Sequence, residues 1–209
     1  MSEFRAEGGM GNAALIVVDV QRDFCEGGAL AASDTLSLLQ PLKECIDAAR
    51  RAGAVIVFTK DWHPEGHSSF QKNAGPWPAH CVAGSPGAEL MPPLATEEGD
   101  VIVQKGMDSN GAGYSGFEGT GLNRRLRELG VESVAVSGIA TEYCVRATAL
   151  DAVKARFLTA VLSDLVRAVN ADETPNVLRE LDGAGVKTVT CAVWLNTIGG
   201  TKSSGAHAL

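Results

Sequence analysis

Ser133 to Ala152, "SVAVSGIATEYCVRATALDA", decides how the rest of the chain is read. Its first half is a β-branched and small-residue apolar run that ends in Ser-Gly. Its second half has helix-like patterning, with Cys144 in the first turn. A strand that turns straight into a helix is half of a crossover unit, and crossover units build parallel sheets.

Working outward, the same alternation recurs. "AALIVVDV" (13–20), "AVIVFTKD" (54–61), "DVIVQKG" (100–106), "FLTAVLSDL" (157–165) and "VKTVTC" (186–191) are short apolar runs of strand length. Between them lie "TLSLLQPLKECIDAARRAG", "LNRRLRELGV", "EYCVRATALDAVKA" and "DETPNVLRELDGAG", with apolar residues at helical spacing and Gly at several ends. The expectation is an α/β fold, a three-layer sandwich with a mostly parallel six-stranded sheet and helices on both faces. A single domain is expected over residues 13–195. Residues 1–12 and 196–209, which include the tail "GGTKSSGAHAL", read as poorly ordered polar termini.

Composition narrows the function classes. Hydrophobic residues make up 45% and charged residues 21% of the 209 positions, an ordinary globular balance. A formal net charge of −7 argues against nucleic acid or an anionic membrane as partner. The apolar run Ala13–Val18 is too short to span a bilayer, and the first dozen residues hold no signal-like apolar core. The five cysteines are scattered and contain no CxxC pair, so no disulfide framework is expected and a reducing cytoplasm fits.

One segment breaks the alternation. Asp61 to about Leu94 has no regular period and is rich in Pro, Gly, His and Trp, with two of the three tryptophans. A loop of this length in a compact domain is usually functional, and aromatic residues argue against disorder. His63, His67 and His80, three of the chain's four histidines, fall between Asp61 and Cys81. An Asp-x-His pair with a further His suits Zn, Fe or Mn and leaves positions open for water or substrate. The plainer reading is surface histidines on a polar loop.

In open α/β sheets ligands bind at the carboxyl ends of strands. Asp19, Lys60–Asp61, Lys105 and the turn before Cys144 all lie at such ends. A thiol at a helix start sits where negative charge is favoured and where free N–H groups can bind an oxyanion. Asp19 can accept its proton, and Lys105 can shift the pKa of both. Taken singly, each has a duller reading: a small buried cysteine, a solvated charge, a plain ion pair. "GYSGFEGTG" contains no phosphate-loop pattern.

The segments "LIVVDVQRDFCEGGAL", "TKDWHPEGHSSF", "WPAHCVAGSPGAEL", "QKGMDSNGAGYSGFEGTGL" and "VSGIATEYCVRATALDA" resemble, in this order, the nicotinamidase branch of the isochorismatase-like cysteine hydrolases. The resemblance covers most of the chain. It implies a catalytic triad of Asp19, Lys105 and Cys144. It implies a cis peptide between Ile139 and Ala140 that turns the Ala140 and Cys144 N–H groups into an oxyanion hole. It implies one divalent metal, zinc in first place and iron or manganese as alternatives, held by Asp61, His63 and His80. His67 would be a fourth ligand or a group behind the ligands. Phe24 and Trp77 match positions that sandwich a pyridine ring, with Tyr114 nearby.

The implied activity is hydrolysis of nicotinamide to nicotinate and ammonia through a thioester on Cys144, a step of pyridine nucleotide salvage. Pyrazinamide is the close ring analogue. The rivals are another small-amide hydrolase of the same superfamily, acting on maleamate or a carbamoyl compound, and a non-catalytic metal-binding or redox-sensing module. The implied partner is the small-molecule substrate alone, with a homo-oligomer by analogy.

Overall fold

The computed structural model describes residues 12–109, 111 and 113–199. Six strands form one sheet: β1 (Ala13–Val18), β2 (Val55–Asp61), β3 (Val101–Lys105), β4 (Ser133–Ile139), β5 (Leu158–Arg167) and β6 (Lys187–Val189). Their order is β3-β2-β1-β4-β5-β6, and every pairing is parallel. The helices are α1 (Thr35–Ala52), α2 (Leu122–Glu128), α3 (Arg146–Lys154), α4 (Thr174–Gly183) and α5 (Cys191–Gly199). None of them is long and apolar enough to cross a membrane.

The sheet divides two apolar layers. Leu15 and Val17 of β1 pack with Leu38, Leu42 and Ile46 of α1 and with Trp194 of α5. Ile16 and Val18 point the other way, into Leu122 and Leu126 of α2, Ala149 of α3 and Leu181 of α4. All six residues of β1 are buried, which is why its sequence is continuously apolar rather than alternating. Each large aliphatic side chain buried here contributes about 1.5–3 kcal/mol.

The chain builds β1, β2 and β3 outward in one direction and then returns to place β4 on the other side of β1. Crossovers on the two sides of β1 diverge, leaving a crevice at the carboxyl ends of β1 and β4. Asp19 follows β1, and the turn to Cys144 follows β4.

Three features differ from the sequence reading. The final run stops as a strand at Val189, and Cys191 starts α5, which continues to Gly199, past residue 195. The Gly-Gly at 199–200 in sequence masks a helix whose apolar residues, Trp194 and Ile198, seat on the α1 face. The expected absence of disulfides is corrected: Cys45 of α1 and Cys191 are joined, 146 residues apart in sequence. Scatter along the chain is no guide to distance when α1 and α5 share a layer. The helix expected from Glu142 begins instead as a π-helical turn, Thr141–Val145, before α3. Residues 1–11 and 200–209 lie outside the described residues.

Candidate active site

Immediately after β1 the backbone of Asp19 turns into the left-handed region, φ +49°. Aspartate tolerates that conformation better than most residues. Thr59 of β2 holds it there: the Asp19 N–H donates to Thr59 O at 3.2 Å and to Thr59 Oγ1 at 3.3 Å. In return the Thr59 hydroxyl donates to Asp19 Oδ1 at 2.6 Å. One carboxylate oxygen is thereby fixed. The other, Oδ2, lies 2.8 Å from Lys105 Nζ, an ion-pair distance.

Lys105 ends β3 and stands opposite Asp61 in the β2–β3 register. Its Nζ donates to Asp61 Oδ1 at 2.5 Å, to Gly113 O at 2.9 Å and to Cys144 Sγ at 3.4 Å. Asp19, Asp61, Lys105 and Cys144 are all buried. Sequestering charges like these costs several kcal/mol per ion before pairing, and an apolar replacement is often at least as stable. Stability alone is a poor reason for such a cluster.

The electrostatics separate the two carboxylates. Burial pushes both up, yet for Asp61 the Lys105 ammonium and the His63 ring win, and its carboxyl sits well below the usual range. For Asp19 burial prevails over Lys105, and its pKa is raised. Burial lowers Lys105, but Asp19, Asp61 and Cys144 hold it firmly charged. Burial drives the Cys144 thiol well above its ordinary value, Lys105 opposes, and the two carboxylates add to the rise. Both shifts run the same way, favouring the protonated form of Cys144 and making Asp19 a stronger base than an exposed aspartate.

Cys144 is carried to this point by β4. Gly138, φ +107°, lets β4 pass β1 closely: a Cβ there would lie 2.1 Å from Val18 O. The Ile139–Ala140 peptide is cis. The π turn follows, with Tyr143 N–H and Val145 N–H both donating to Ala140 O.

The loop after β2 gathers a second cluster against the first. Asp61, His63 and His80 each offer a ligand atom, all within 4.8 Å of one another. His63 Nδ1 is 2.8 Å from Gly106 O, and His80 Nδ1 is 2.8 Å from Pro78 O. A carbonyl only accepts, so each ring carries its proton on Nδ1 and keeps Nε2 free as a ligand. His63 Nε2 faces Asp61 Oδ2 at 3.4 Å. Oxygen and imidazole donors, with the imidazoles oriented from behind, suit a divalent transition metal. Gly106 shapes the cluster too, because a Cβ on it would lie 2.4 Å from the His63 ring. His67 stacks on His63 with ring centres 4.1 Å apart, bonds Ser69 Oγ through Nδ1 and lies outside the three-ligand set.

A cleft with about 550 Å³ of atom-free space, open to solvent, connects the two clusters. Cys144, Asp61, His63 and His80 form its polar side, and Phe24, Trp77 and Tyr114 line it as well. Trp77 Nε1–H donates to Tyr114 Oη at 3.2 Å. Trp77 also meets Tyr143 edge-on at 5.3 Å.

The Isochorismatase domain family matches residues 13–193. The chain belongs to the isochorismatase family. It is 43% identical over 184 residues to the nicotinamidase/pyrazinamidase of Mycobacterium tuberculosis, covering 84% of this chain and 97% of that one. The pyrazinamidase of Pyrococcus horikoshii, solved in complex with zinc, is 45% identical with TM-score 0.83, covering 86% of this chain and 99% of that one. PnC1 from L. infantum, solved in complex with nicotinate, is 35% identical with TM-score 0.77, over 87% and 93%.

In this isochorismatase-family chain, several residues at the site escape sequence reasoning. Leu30, Val169 and Tyr143 line the cleft. Tyr143 adjoins Cys144 in the π turn, where the spacing of an α-helix gives no guide to its direction. Thr59 reads as an ordinary β-branched strand residue; only the register that sets it beside Asp19 reveals its hydroxyl. Gln21, two residues beyond Asp19, is fully buried, and "DVQRDF" taken alone offers no reason for that.

Proposed function

We propose that this chain is a metal-dependent nicotinamidase, a cysteine amidohydrolase converting nicotinamide and water to nicotinate and ammonia. The observation that carries the reading is Asp61. One of its carboxylate oxygens bonds Lys105, beside Cys144, while the other faces His63. A nucleophile cluster and a ligand cluster thus share one carboxylate in one cleft. The zinc-bound and nicotinate-bound relatives support the same reading.

In this proposal Asp19 takes the Cys144 proton through Oδ2 as Sγ attacks the carboxamide carbon. The oxyanion is received by the N–H groups of Ala140 and Cys144. Asp19 passes its proton to the departing ammonia, leaving a thioester between Cys144 and the nicotinoyl group. Asp19 then takes a proton from water as its oxygen adds to the thioester carbon; the C–S bond breaks, the Asp19 proton returns to the Cys144 sulfur, and the nicotinic acid released ionises to nicotinate. Lys105 remains an ammonium and keeps Asp61 ionised. Phe24 and Trp77 hold the ring between them, and Tyr114 anchors Trp77. Asp61, His63 and His80 would hold one divalent ion, zinc, with His67 behind them. When bound, that ion supplies a positive centre for the pyridine nitrogen and orients the carboxamide over the sulfur.

The activity is assigned to one domain over residues 13–195, acting on a free small molecule, without nucleic acid, and as a homo-oligomer. We place it in the cytoplasm, on the three free cysteines.

The test is ammonia release from nicotinamide by the purified protein, before and after chelation. Release that falls on chelation and returns with zinc supports the reading. Release indifferent to chelation overturns the metal's role. No release from zinc-loaded protein overturns the substrate and points to maleamate or a carbamoyl amide.

A further inference from the structure

The four residues Gln21 to Phe24 follow β1 and belong to neither cluster, yet they touch both segments that carry the ligands. Gln21 spends its side-chain amide on one residue in particular. Its Nε2 donates to Asp61 O at 2.8 Å, and its Oε1 accepts the Asp61 N–H at 2.8 Å. Both backbone groups of a ligand residue are thus clamped by one side chain. The second Nε2 proton goes to Ala88 O at 2.9 Å, in the loop beyond His80. Asp23 reaches that loop at its ligand end: its Oδ2 accepts the N–H of Cys81, the residue after His80, at 2.7 Å. The loop comes so close that a Cβ on Gly87 would lie 2.1 Å from the same oxygen. Arg22 N–H donates to Glu89 O, and Met91 N–H to Val20 O, which laces the two segments into one body.

We infer that Gln21 and Asp23 are positioning residues for the metal site, Gln21 fixing the backbone of Asp61 and Asp23 fixing that of His80–Cys81. The inference rests on the metal site proposed above. Asp61 and His80 stand on different segments, 19 positions apart in sequence. Their donor atoms meet within 4.8 Å only while those segments keep their spacing. Gln21 joins both segments directly, because the amide that holds Asp61 also holds Ala88. Neither residue belongs to the three-ligand set. Their polar atoms go to backbone groups instead, Gln21 to Asp61 and Ala88 and Asp23 Oδ2 to the Cys81 N–H.

Outer partners that hold ligands in place are worth about 10- to 100-fold in metal affinity. The test is zinc affinity measured by competition with a chromogenic chelator, together with the visible absorption of the cobalt(II)-loaded protein and the melting temperature without metal. The variants are Gln21→Met, Asp23→Ala, Asp23→Asn and, as reference, His63→Ala. Gln21→Met and Asp23→Ala are expected to lose about 10- to 100-fold in zinc affinity and to alter the cobalt bands. Asp23→Asn, which keeps an acceptor for the Cys81 N–H, is expected to retain the wild-type values.

A merely structural role would lower the melting temperature and leave affinity and cobalt bands unchanged; that result overturns the inference. Should Gln21→Met fail to fold, the Asp23 pair decides alone, and equal affinity in Asp23→Ala and wild type overturns it. If His63→Ala also binds zinc as wild type does, the metal site itself has failed, an outcome distinct from failure of the brace.

Discussion

The Thr59 hydroxyl donates to Asp19 Oδ1 at 2.6 Å, which leaves Oδ2 as the oxygen that faces the Lys105 ammonium at 2.8 Å. With Oδ1 engaged by Thr59, Oδ2 is the oxygen we assign to take the proton. Thr59→Val preserves shape and removes the hydroxyl. Hydrogen bonds to charged groups contribute about 1.5–3 kcal/mol. If that orientation is used at the barrier, kcat should fall roughly 10- to 100-fold with KM unchanged. Thr59→Ser should restore it. Steady-state kinetics on nicotinamide check this; an equal change in KM would count against it.

Cys144→Ala removes the attacking atom while shedding only a small buried group. Turnover should fall to background, with nicotinate binding and the melting temperature close to wild type. Intact-mass analysis of acid-quenched wild type during turnover should show a nicotinoyl adduct that is absent from the variant. Residual turnover within tenfold of wild type would end the thioester mechanism.

The pH dependence follows from Asp19. Burial raises its pKa above the ordinary 3.8. The proposed mechanism uses the carboxylate form, so kcat/KM should rise with pH through that elevated value. Its acid limb therefore lies at higher pH than an exposed aspartate would give. A profile flat down to pH 3.8 would contradict the assignment.

Gly138 tests the packing that brings β4 to β1. A side chain there meets Val18 O and N, and the residue already sits at φ +107°. Gly138→Val should destabilise the fold by ~2–5 kcal/mol, combining overpacking with an unfavourable backbone conformation. Gly183→Ala, in α4 with nothing within 4 Å of its Cβ, should be neutral or slightly stabilising. Denaturant melts of the two variants read the contrast.

How much of this was legible depends on whether a feature was local. The strands of the sheet announce themselves because a strand buried on both faces must be apolar throughout, as β1 is. Asp19, Lys105 and Cys144 could be picked out because they interrupt or follow such runs at one edge. The histidine cluster showed because few histidines occur elsewhere. Thr59, Gln21 and Asp23 were hidden, since their work is done by hydrogen bonds to residues 40 or more positions away. The α5 helix and the Cys45–Cys191 link were hidden for the same reason: each is defined by what α1 presents to it across a layer.

The place of Lys105 in the sheet has a consequence for how the protein fails. Among the described residues β3 is the outermost strand on its side, paired with β2 alone, and the Lys105–Asp61 pairing is its last rung. Proteins open locally at free energies below that of global unfolding, and a strand held by one neighbour has fewer ladder bonds to lose than a central one. The ammonium that balances the buried carboxylates is thus mounted on a strand with a neighbour on one side only. Heat should extinguish catalysis at temperatures where circular dichroism still shows an intact helix content, and brief heating followed by cooling should bring the activity back.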